Sequence, residues 1–468
     1  MKRKAMIILL YVMDSLRPDF LSGYGYAKET SPAIDRLAEE GVLFTNAFAQ
    51  STWTRASGAS LLSSTYPSVH RLSTVRDALS RSIPILPEAL KAGGFKTIAL
   101  TTMGNISPFF GFGRGFDHFI EIYKERTVTE KRQKIKFKNV AGRRHFRASG
   151  EEMPIVNSED INHFLLPFLK EHRQENVFVF VWSLNTHDPY FHRDPNLAPF
   201  GPSTKEIWLA SDIAKMQSEG EREHLKAIYA DMIYHNDFHL GILIKTLKEM
   251  NLFDETFFIL TSDHGESFGE HGVNSHGGVP YDEVIRVPLI MKFPRSQFHG
   301  RVKALVQHID IAPTILETAH VAGDGMLLQG KSLCPLLRKD EEVNPFVFAE
   351  TQLKIELPKY IALRNHDYKY IEARSGKFRL KRSVLQTLSP LVRSVFKKEL
   401  LFCVREDPLE RSNLIGKEKE RKKEFQHRAR ILQEDNEKLS RGWKEEKHAG
   451  IEVDEEVTRQ LKAMGYFD

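Results

Sequence analysis

The chain has 468 residues, and its 67 Lys and Arg against 62 Asp and Glu leave a formal charge of +5. That surplus is too small for its length to mark a nucleic-acid binder. With 41% hydrophobic residues there is apolar mass for a large buried core, as one big α/β domain with an appendage or as two to three domains. Only Cys334 and Cys403 are present, which argues against a disulfide framework and for a reducing compartment.

The first apolar run, residues 5–13, follows a basic start, as in a signal peptide, but Asp-Ser-Leu-Arg-Pro comes next instead of a small-residue cleavage site. Its length and apolar content suit a buried strand of a parallel sheet. No run approaches the roughly 20 apolar residues of a membrane span, so a cytoplasmic location is expected. A helical pattern follows at 31–41, then strand-like runs at 96–102, 177–183, 256–262 and 287–293, with a long helix predicted over 221–250. Strands alternating with helices predict parallel pairing in a sheet covered on both faces. The basic interval 121–155 reads as an inserted surface excursion. From 345 the texture changes to short strand-like runs, which predicts a catalytic domain over 1–344 and a smaller α+β domain over 345–468. The charged run 417–439 is expected to be a helix with a solvated face, and 377–398 mixes Lys and Arg with Leu, Val and Phe as a basic amphipathic helix does.

Polar residues of catalytic type stand where the core-like strands end. Asp14 ends the first, His187 follows the run at 177–183, and Asp263 and His264 follow the run at 256–262. In open parallel sheets ligands bind beyond the carboxyl ends of the strands, so these side chains should meet at one edge. Two carboxylates, an imidazole and a hydroxyl would suit one divalent ion, Mn²⁺, Zn²⁺ or Mg²⁺, with Ca²⁺ less favoured because of the histidine. The hydroxyl is that of Thr54, just ahead of a small-residue and apolar helical run. A Thr there is ordinarily a helix cap. Beside a metal it would instead be a fourth ligand and an activated nucleophile, with the helix N-terminus holding an anionic substrate.

Taken in order, YVMDSLRPDFLSGYGY at 11–26, TRASGASLLSSTYPSVH at 54–70, THDPY at 186–190, TSDHGESFGEHG at 261–272, HGGVPYDEVIRVPLIM at 276–291 and REDPLERSNL at 405–414 resemble the sulfatase branch of the alkaline phosphatase superfamily almost end to end. The resemblance implies a large, mostly parallel sheet sandwiched by helices with a smaller C-terminal domain. It implies metal ligation by Asp14, Asp263 and His264, Thr54 as nucleophile, and His187 and His276 as catalytic histidines. Asn105, Arg55 and His271 become substrate-contact candidates. For His271 a loop-structuring role weighs equally, Arg55 has solvent as its alternative, Arg17 has a salt bridge to Asp19, and His235 and His239 read as surface or packing residues.

The chain departs from the family where formylglycine forms. A Cys or Ser, then x-Pro-x-Arg, is replaced by Thr54-Arg55-Ala56-Ser57-Gly58, and a paired Asp-Asp becomes Asp14-Ser15. These changes resemble Thr-nucleophile relatives. The expected activity is metal-dependent cleavage of a phosphodiester, phosphonate ester or sulfate ester through a covalent Thr intermediate. A phosphoglycerol-type transferase and an inactive polyanion-binding relative stay open. The expected partner is a small anionic ester, carried on a glycan or a lipid headgroup; of the basic segments 124–147 and 377–398, the second suits a peripheral membrane contact or a place over the active site, with packing on the C-terminal domain weighing at least equally.

Overall fold

The computed structural model describes residues 5–129, 134–136, 152–154, 156–201, 207–208, 216, 218–353, 358–374, 399–443 and 454–463. Its centre is an eight-stranded sheet: β1 Ile7–Met13, β2 Val42–Phe48, β3 Lys96–Thr101, β4 His118–Glu121, β5 Val177–Ser183, β6 Thr256–Thr261, β7 Arg286–Lys292 and β8 Gly300–Gln307, in the order β8-β2-β7-β6-β1-β5-β3-β4. Every residue of β1, IILLYVM, is buried. It lies between β5 and β6, parallel to both, with Leu10 opposite Phe180 on one side and Ile259 on the other. A strand buried on both faces is continuously apolar, as the sequence required. All five expected strands exist, but β7 runs antiparallel to both β2 and β6.

Helices flank the sheet. α1 (Pro32–Glu39) and α3 (Ser158–Glu171) both pack on the long α4 (Glu219–Glu249), while α2 (Thr54–Ser63) packs against helix Ile311–Ala319. α4 starts on a capping box: Ser218 Oγ accepts from the Glu221 N–H at 3.2 Å, and the Ser218 N–H donates to the Glu221 carboxylate at 3.0 Å.

A second sheet of four antiparallel strands, β9 Val347–Thr351, β10 Lys359–Arg364, β11 Tyr368–Arg374 and β12 Glu399–Cys403, follows. Helix α5 (Lys419–Ser440) is not simply solvated. Phe425, Ala429, Gln433, Asn436 and Ser440 form a buried stripe at helical spacing, and Phe425 packs among Phe348, Ile361, Leu363 and Leu401. The remaining positions are charged and exposed, which masks this narrow stripe in the composition.

The supposed excursion at 121–155 begins later than expected. Glu121 ends edge strand β4, and Ile122, Tyr123 and Val128 are buried in the main core. Within the rest of the interval Lys134–Lys136 pairs with Glu152–Pro154; most of 124–147 and all of 377–398 lie outside the described residues. Helix Glu455–Ala463 returns to the large domain, where Val457 and Leu461 are buried in its core and Gln460 accepts from the Gly104 N–H and donates to the Thr102 carbonyl. No described helix is long and apolar enough to cross a membrane. Cys334 and Cys403 are both free and buried.

An ion cluster ties the two sheets together. Lys369 Nζ, on β11, lies 2.8 Å from Asp282 Oδ1 and 2.9 Å from Glu410 Oε1, and Arg364 Nε, on β10, lies 3.2 Å from Asp282 Oδ2. Burial would raise the Asp282 carboxyl, but the charges of Lys369 and Arg364 outweigh it and hold it down at about 2. At Glu410, burial with the Asp282 and Glu283 charges outweighs Lys369 and raises the carboxyl to about 7.

Candidate active site

The carboxyl ends of β1 and β6 deliver three buried groups to one point. Ligand atoms of Asp14, Asp263 and His264 all lie within 4.8 Å of one another. Each is held by neighbours that leave an oxygen or nitrogen facing inward. Trp182 Nε1–H donates to Asp14 Oδ2 at 3.0 Å, and the Ser15 N–H donates to Asp263 Oδ1 at 3.0 Å. His264 Nδ1 lies 2.7 Å from the Gly265 carbonyl, which makes Nδ1 the N–H and leaves Nε2 a lone pair. That Nε2 stands 3.1 Å from Asp263 Oδ2, a buried oxygen with no hydrogen-bond partner. A lone pair facing an orphaned carboxylate oxygen is repulsive until a cation stands between them. The donor set therefore fits a divalent ion.

Without one, a proton fills the role. Burial would lower His264, but the charges of Asp263 and Asp14 outweigh it and raise it to about 9. Burial would raise both carboxylates. At Asp263 the His264 charge and the hydrogen bonds from His264 and Ser15 overcome it and pull the group down; at Asp14 burial and the Asp263 charge prevail and push it up.

Thr54 opens α2, but it is not the cap. The N-cap position belongs to Trp53, and no side chain caps this helix. Thr54 is fully buried, with Oγ1 3.4 Å from His264 Nε2. The first turn of α2 thus brings its positive end to the Asp14–Asp263–His264 cluster.

His187 and His276 close the opposite side. Their rings lie 4.9 Å apart, and the His276 ring stacks on His264 at 4.4 Å. His187 Nδ1 lies 2.7 Å from the Asp188 carbonyl and 3.0 Å from Asp188 Oδ1. Burial would lower this imidazole, yet the Asp14 charge and Asp188 overcome it and raise it to about 10. His276 Nδ1 is 3.2 Å from Glu266 Oε2, which also accepts from the Tyr190 hydroxyl at 2.8 Å. Glu266, Tyr190 and Trp182 were not among the expected site residues. Glu266 was visible as the second residue after His264 and Tyr190 as the last residue of Thr-His-Asp-Pro-Tyr at 186–190, whereas nothing local in the sequence links Trp182 to the site.

The other expected contacts fall elsewhere. Arg55 is buried rather than turned to solvent. Its guanidinium donates to Asn105 Oδ1 at 3.1 Å and to the carbonyls of Asp77 and Val75, both at 2.9 Å, with Phe110 stacked 3.8 Å away. Arg55 and Asn105 thus meet each other and hold the 75–77 loop. His271 Nδ1 is 2.9 Å from Glu283, Nε2 is 2.9 Å from the Leu409 carbonyl, and the ring lies flat on Tyr281 at 3.9 Å. Those contacts structure the loop against the C-terminal domain. Arg17 forms a two-point pair with Asp19 and also reaches Glu270 at 2.8 Å. His235 is buried on α4, its ring 4.8 Å from that of His239.

A model of the sulfatase family matches residues 7–321. The chain belongs to the sulfatase family. A model for the C-terminal region of N-sulphoglucosamine sulphohydrolase matches residues 269–437 of this sulfatase-family chain. It is 24% identical to an ulvan-active sulfatase of Formosa agariphila over 87% of this chain and 77% of that one. It is 23% identical to an arylsulfatase of Clostridium perfringens over 91% and 93% of the two chains. Among solved structures, the phosphonate monoester hydrolase of Agrobacterium radiobacter superposes with a TM-score of 0.68 at 19% identity, covering 92% of this chain and 95% of that one. The protein is thus a sulfatase-like hydrolase of sulfuric or phosphoric esters, of a family that holds a divalent metal.

Proposed function

We propose that Thr54 is the nucleophile of a metal-dependent ester hydrolase that takes phosphodiesters or phosphonate monoesters first and sulfate esters last. One observation carries the reading: Thr54, not needed as a cap, presents its hydroxyl to the Asp14–Asp263–His264 cluster at the head of α2. A divalent ion held by those three residues and Thr54 would lower the pKa of the Thr54 hydroxyl and neutralise charge on the ester oxygens. Thr54 Oγ, its proton lost to solvent under that lowered pKa, bonds to the phosphorus or sulfur in line as the bond to the leaving oxygen breaks. His187 or His276 gives that oxygen its proton. Water then attacks the Thr54 ester, the same histidine takes the water's proton, and the bond to Oγ breaks. The N–H groups at the head of α2 supply donors for the anion.

The substrate order follows from what this site lacks. A formylglycine hydrate releases sulfate by collapsing to its aldehyde, but the Thr54 β-methyl forbids that exit. The family's arginine position is Gly58, where a Cβ would already lie 2.8 Å from Ile106 and 3.3 Å from Trp182, so the packing admits no long cation. One cation fewer favours a monoanionic ester over a dianionic monoester. Similarity to ulvan-active and aryl sulfatases supports an anionic ester borne on a glycan or an aryl group, and keeps sulfate esters in the assay. Steady-state kinetics on matched aryl diesters, phosphonates, monoesters and sulfates test the order. Thr54→Ala should lose on the order of 10⁶-fold in kcat, as removal of a nucleophile does elsewhere, while its metal content and melting temperature hold. Near-normal turnover in that variant would overturn the assignment.

A further inference from the structure

A two-residue ladder brings Glu266 to the site. Ser267–Phe268 pairs antiparallel with Asn274–Ser275, and Ser267 stands opposite Ser275. One step further along the same register, residue 266 stands opposite residue 276. Cross-strand neighbours of this kind have adjacent side chains, and Glu266 Oε2 indeed lies 3.2 Å from His276 Nδ1. The Gly277 N–H donates to the Thr52 carbonyl at 2.7 Å, which ties the His276 backbone to the chain just ahead of Thr54. The His276 ring then stacks on His264 at 4.4 Å.

Glu266 is in turn held from several sides. Its carbonyl accepts from Arg17 Nη1 at 2.9 Å, and its Oε2 accepts from the Tyr190 hydroxyl at 2.8 Å. Tyr190 is clamped where it stands. Its backbone N–H and carbonyl both bond to Trp208, at 2.7 and 2.8 Å, and its ring packs 5.8 Å from Phe268 and 6.2 Å from Tyr229. Burial and the Glu266 charge push the Tyr190 phenol well above its ordinary range, so its O–H stays a donor.

The kind of donor matters. Glu266 is fully buried, a costly place for a carboxylate. Buried acids that serve the fold are met here by lysine and arginine, as Asp282 is by Lys369 and Arg364. Glu266 is met instead by a phenol and an imidazole. An imidazole that gives its Nδ1–H to an acceptor has its other nitrogen, Nε2, for proton exchange.

We propose that Glu266 is a positioning residue for His276. It fixes which ring nitrogen carries the N–H and where the ring stands, and Tyr190 holds Glu266 in turn. His276 is the group that touches substrate; Glu266 and Tyr190 act through it. The proposal rests on the ester-hydrolase reading of the site and extends it behind the reacting atoms to a Tyr190–Glu266–His276 chain.

The test is a set of mutant cycles, read by steady-state kinetics on whichever 4-nitrophenyl ester of the matched series is turned over fastest. Glu266→Gln should lose on the order of 10–100-fold in kcat with KM within about twofold, the usual cost of removing a partner that orients a functional histidine. His276→Ala should lose on the order of 10²-fold or more. Added to His276→Ala, Glu266→Gln should cost less than about twofold further, because its effect passes through a ring that is gone. Tyr190→Phe should cost about fivefold in kcat, the scale of one hydrogen bond, and this loss should also vanish in the His276→Ala background. The metal content and melting temperature of Glu266→Gln should match the wild type. A role in packing alone would give the same loss with and without His276. Equal losses in the two backgrounds, a loss confined to KM, near-normal turnover in Glu266→Gln or release of metal from that variant would each overturn the proposal. The nucleophile reading fails separately, through persistent turnover in Thr54→Ala.

Discussion

Two buried charge clusters lie on the two sides of the 265–283 loop, and they are built on opposite terms. In the cluster at the domain junction, Asp282 and Glu410 face Lys369 and Arg364, so two acids meet two bases within the chain. In the cluster at the sheet edge, Asp14 and Asp263 face the imidazoles of His264 and His187, and the His264 Nε2 lone pair and Asp263 Oδ2 repel each other. The first is finished when the chain folds. The second holds donor atoms within 4.8 Å of one another that fit a divalent ion. The source of the positive charge separates the two clusters: permanently charged lysine and arginine at the junction, imidazoles that carry charge only when protonated at the sheet edge.

The sharpest way to break this distinction is to neutralise one charged residue in each cluster. Asp263→Asn should empty the metal site, measured by elemental analysis, and lower kcat/KM by on the order of 10³-fold, the scale of losing a Lewis acid. Full metal retention would show that the sheet-edge cluster is not the metal site. At the junction, Lys369→Met leaves Asp282 and Glu410 facing each other with Arg364 alone, and should cost about 3–5 kcal/mol in urea unfolding, with metal content unchanged. Loss of metal in that variant would mean the two clusters are one unit.

The pH dependence sharpens the same contrast. His264 is raised from 6.5 to about 9 in the folded, metal-free protein, so its contribution to stability is complete below about pH 6.5 and fades as pH rises through about 9. A chelated sample should lose melting temperature across that window, while a metal-loaded sample should not, because the ion replaces the proton. For the same reason, metal affinity should fall as pH drops below about 9. Parallel melting curves with pH, with and without chelator, would reveal the opposite. The smallest effect belongs to His271→Ala, which removes two loop contacts: about 1 kcal/mol of stability and less than about twofold in kcat. A large fall in kcat at unchanged stability would instead place His271 on the substrate.

Asp14, Asp263, His264 and Thr54 were legible because each follows a strongly apolar run or opens a helix, and a parallel sheet sends such positions to one end. β2 and β8 were not legible as strands. β2 has partly exposed residues at Thr45 and Asn46, and the first half of β8 is largely exposed, so neither has the unbroken apolar signature of β1. The reversed direction of β7 has no local signal, since a strand reads the same whichever way its neighbours run. Glu266 was visible only as one acid among several, and its partners Tyr190 and His276 come from segments 76 residues before it and 10 after it. The junction cluster depends on contacts 82 and 87 residues apart, which only the assembled sheets create.

The placement of β1 also sets a problem for the ribosome. The strand made first is the middle of the sheet, and its two partners are β5, in register from Val177, and β6, in register from Thr256. At roughly 5–20 residues per second of synthesis, IILLYVM emerges with both backbone edges bare and waits on the order of ten seconds or more before either neighbour exists. A growing chain in that interval offers an open, fully apolar strand to any other nascent strand nearby. Its yield in a cell should therefore depend on chaperones that shelter the first dozen residues, and translation slowed before residue 177 should increase aggregation more than the same delay introduced after residue 261.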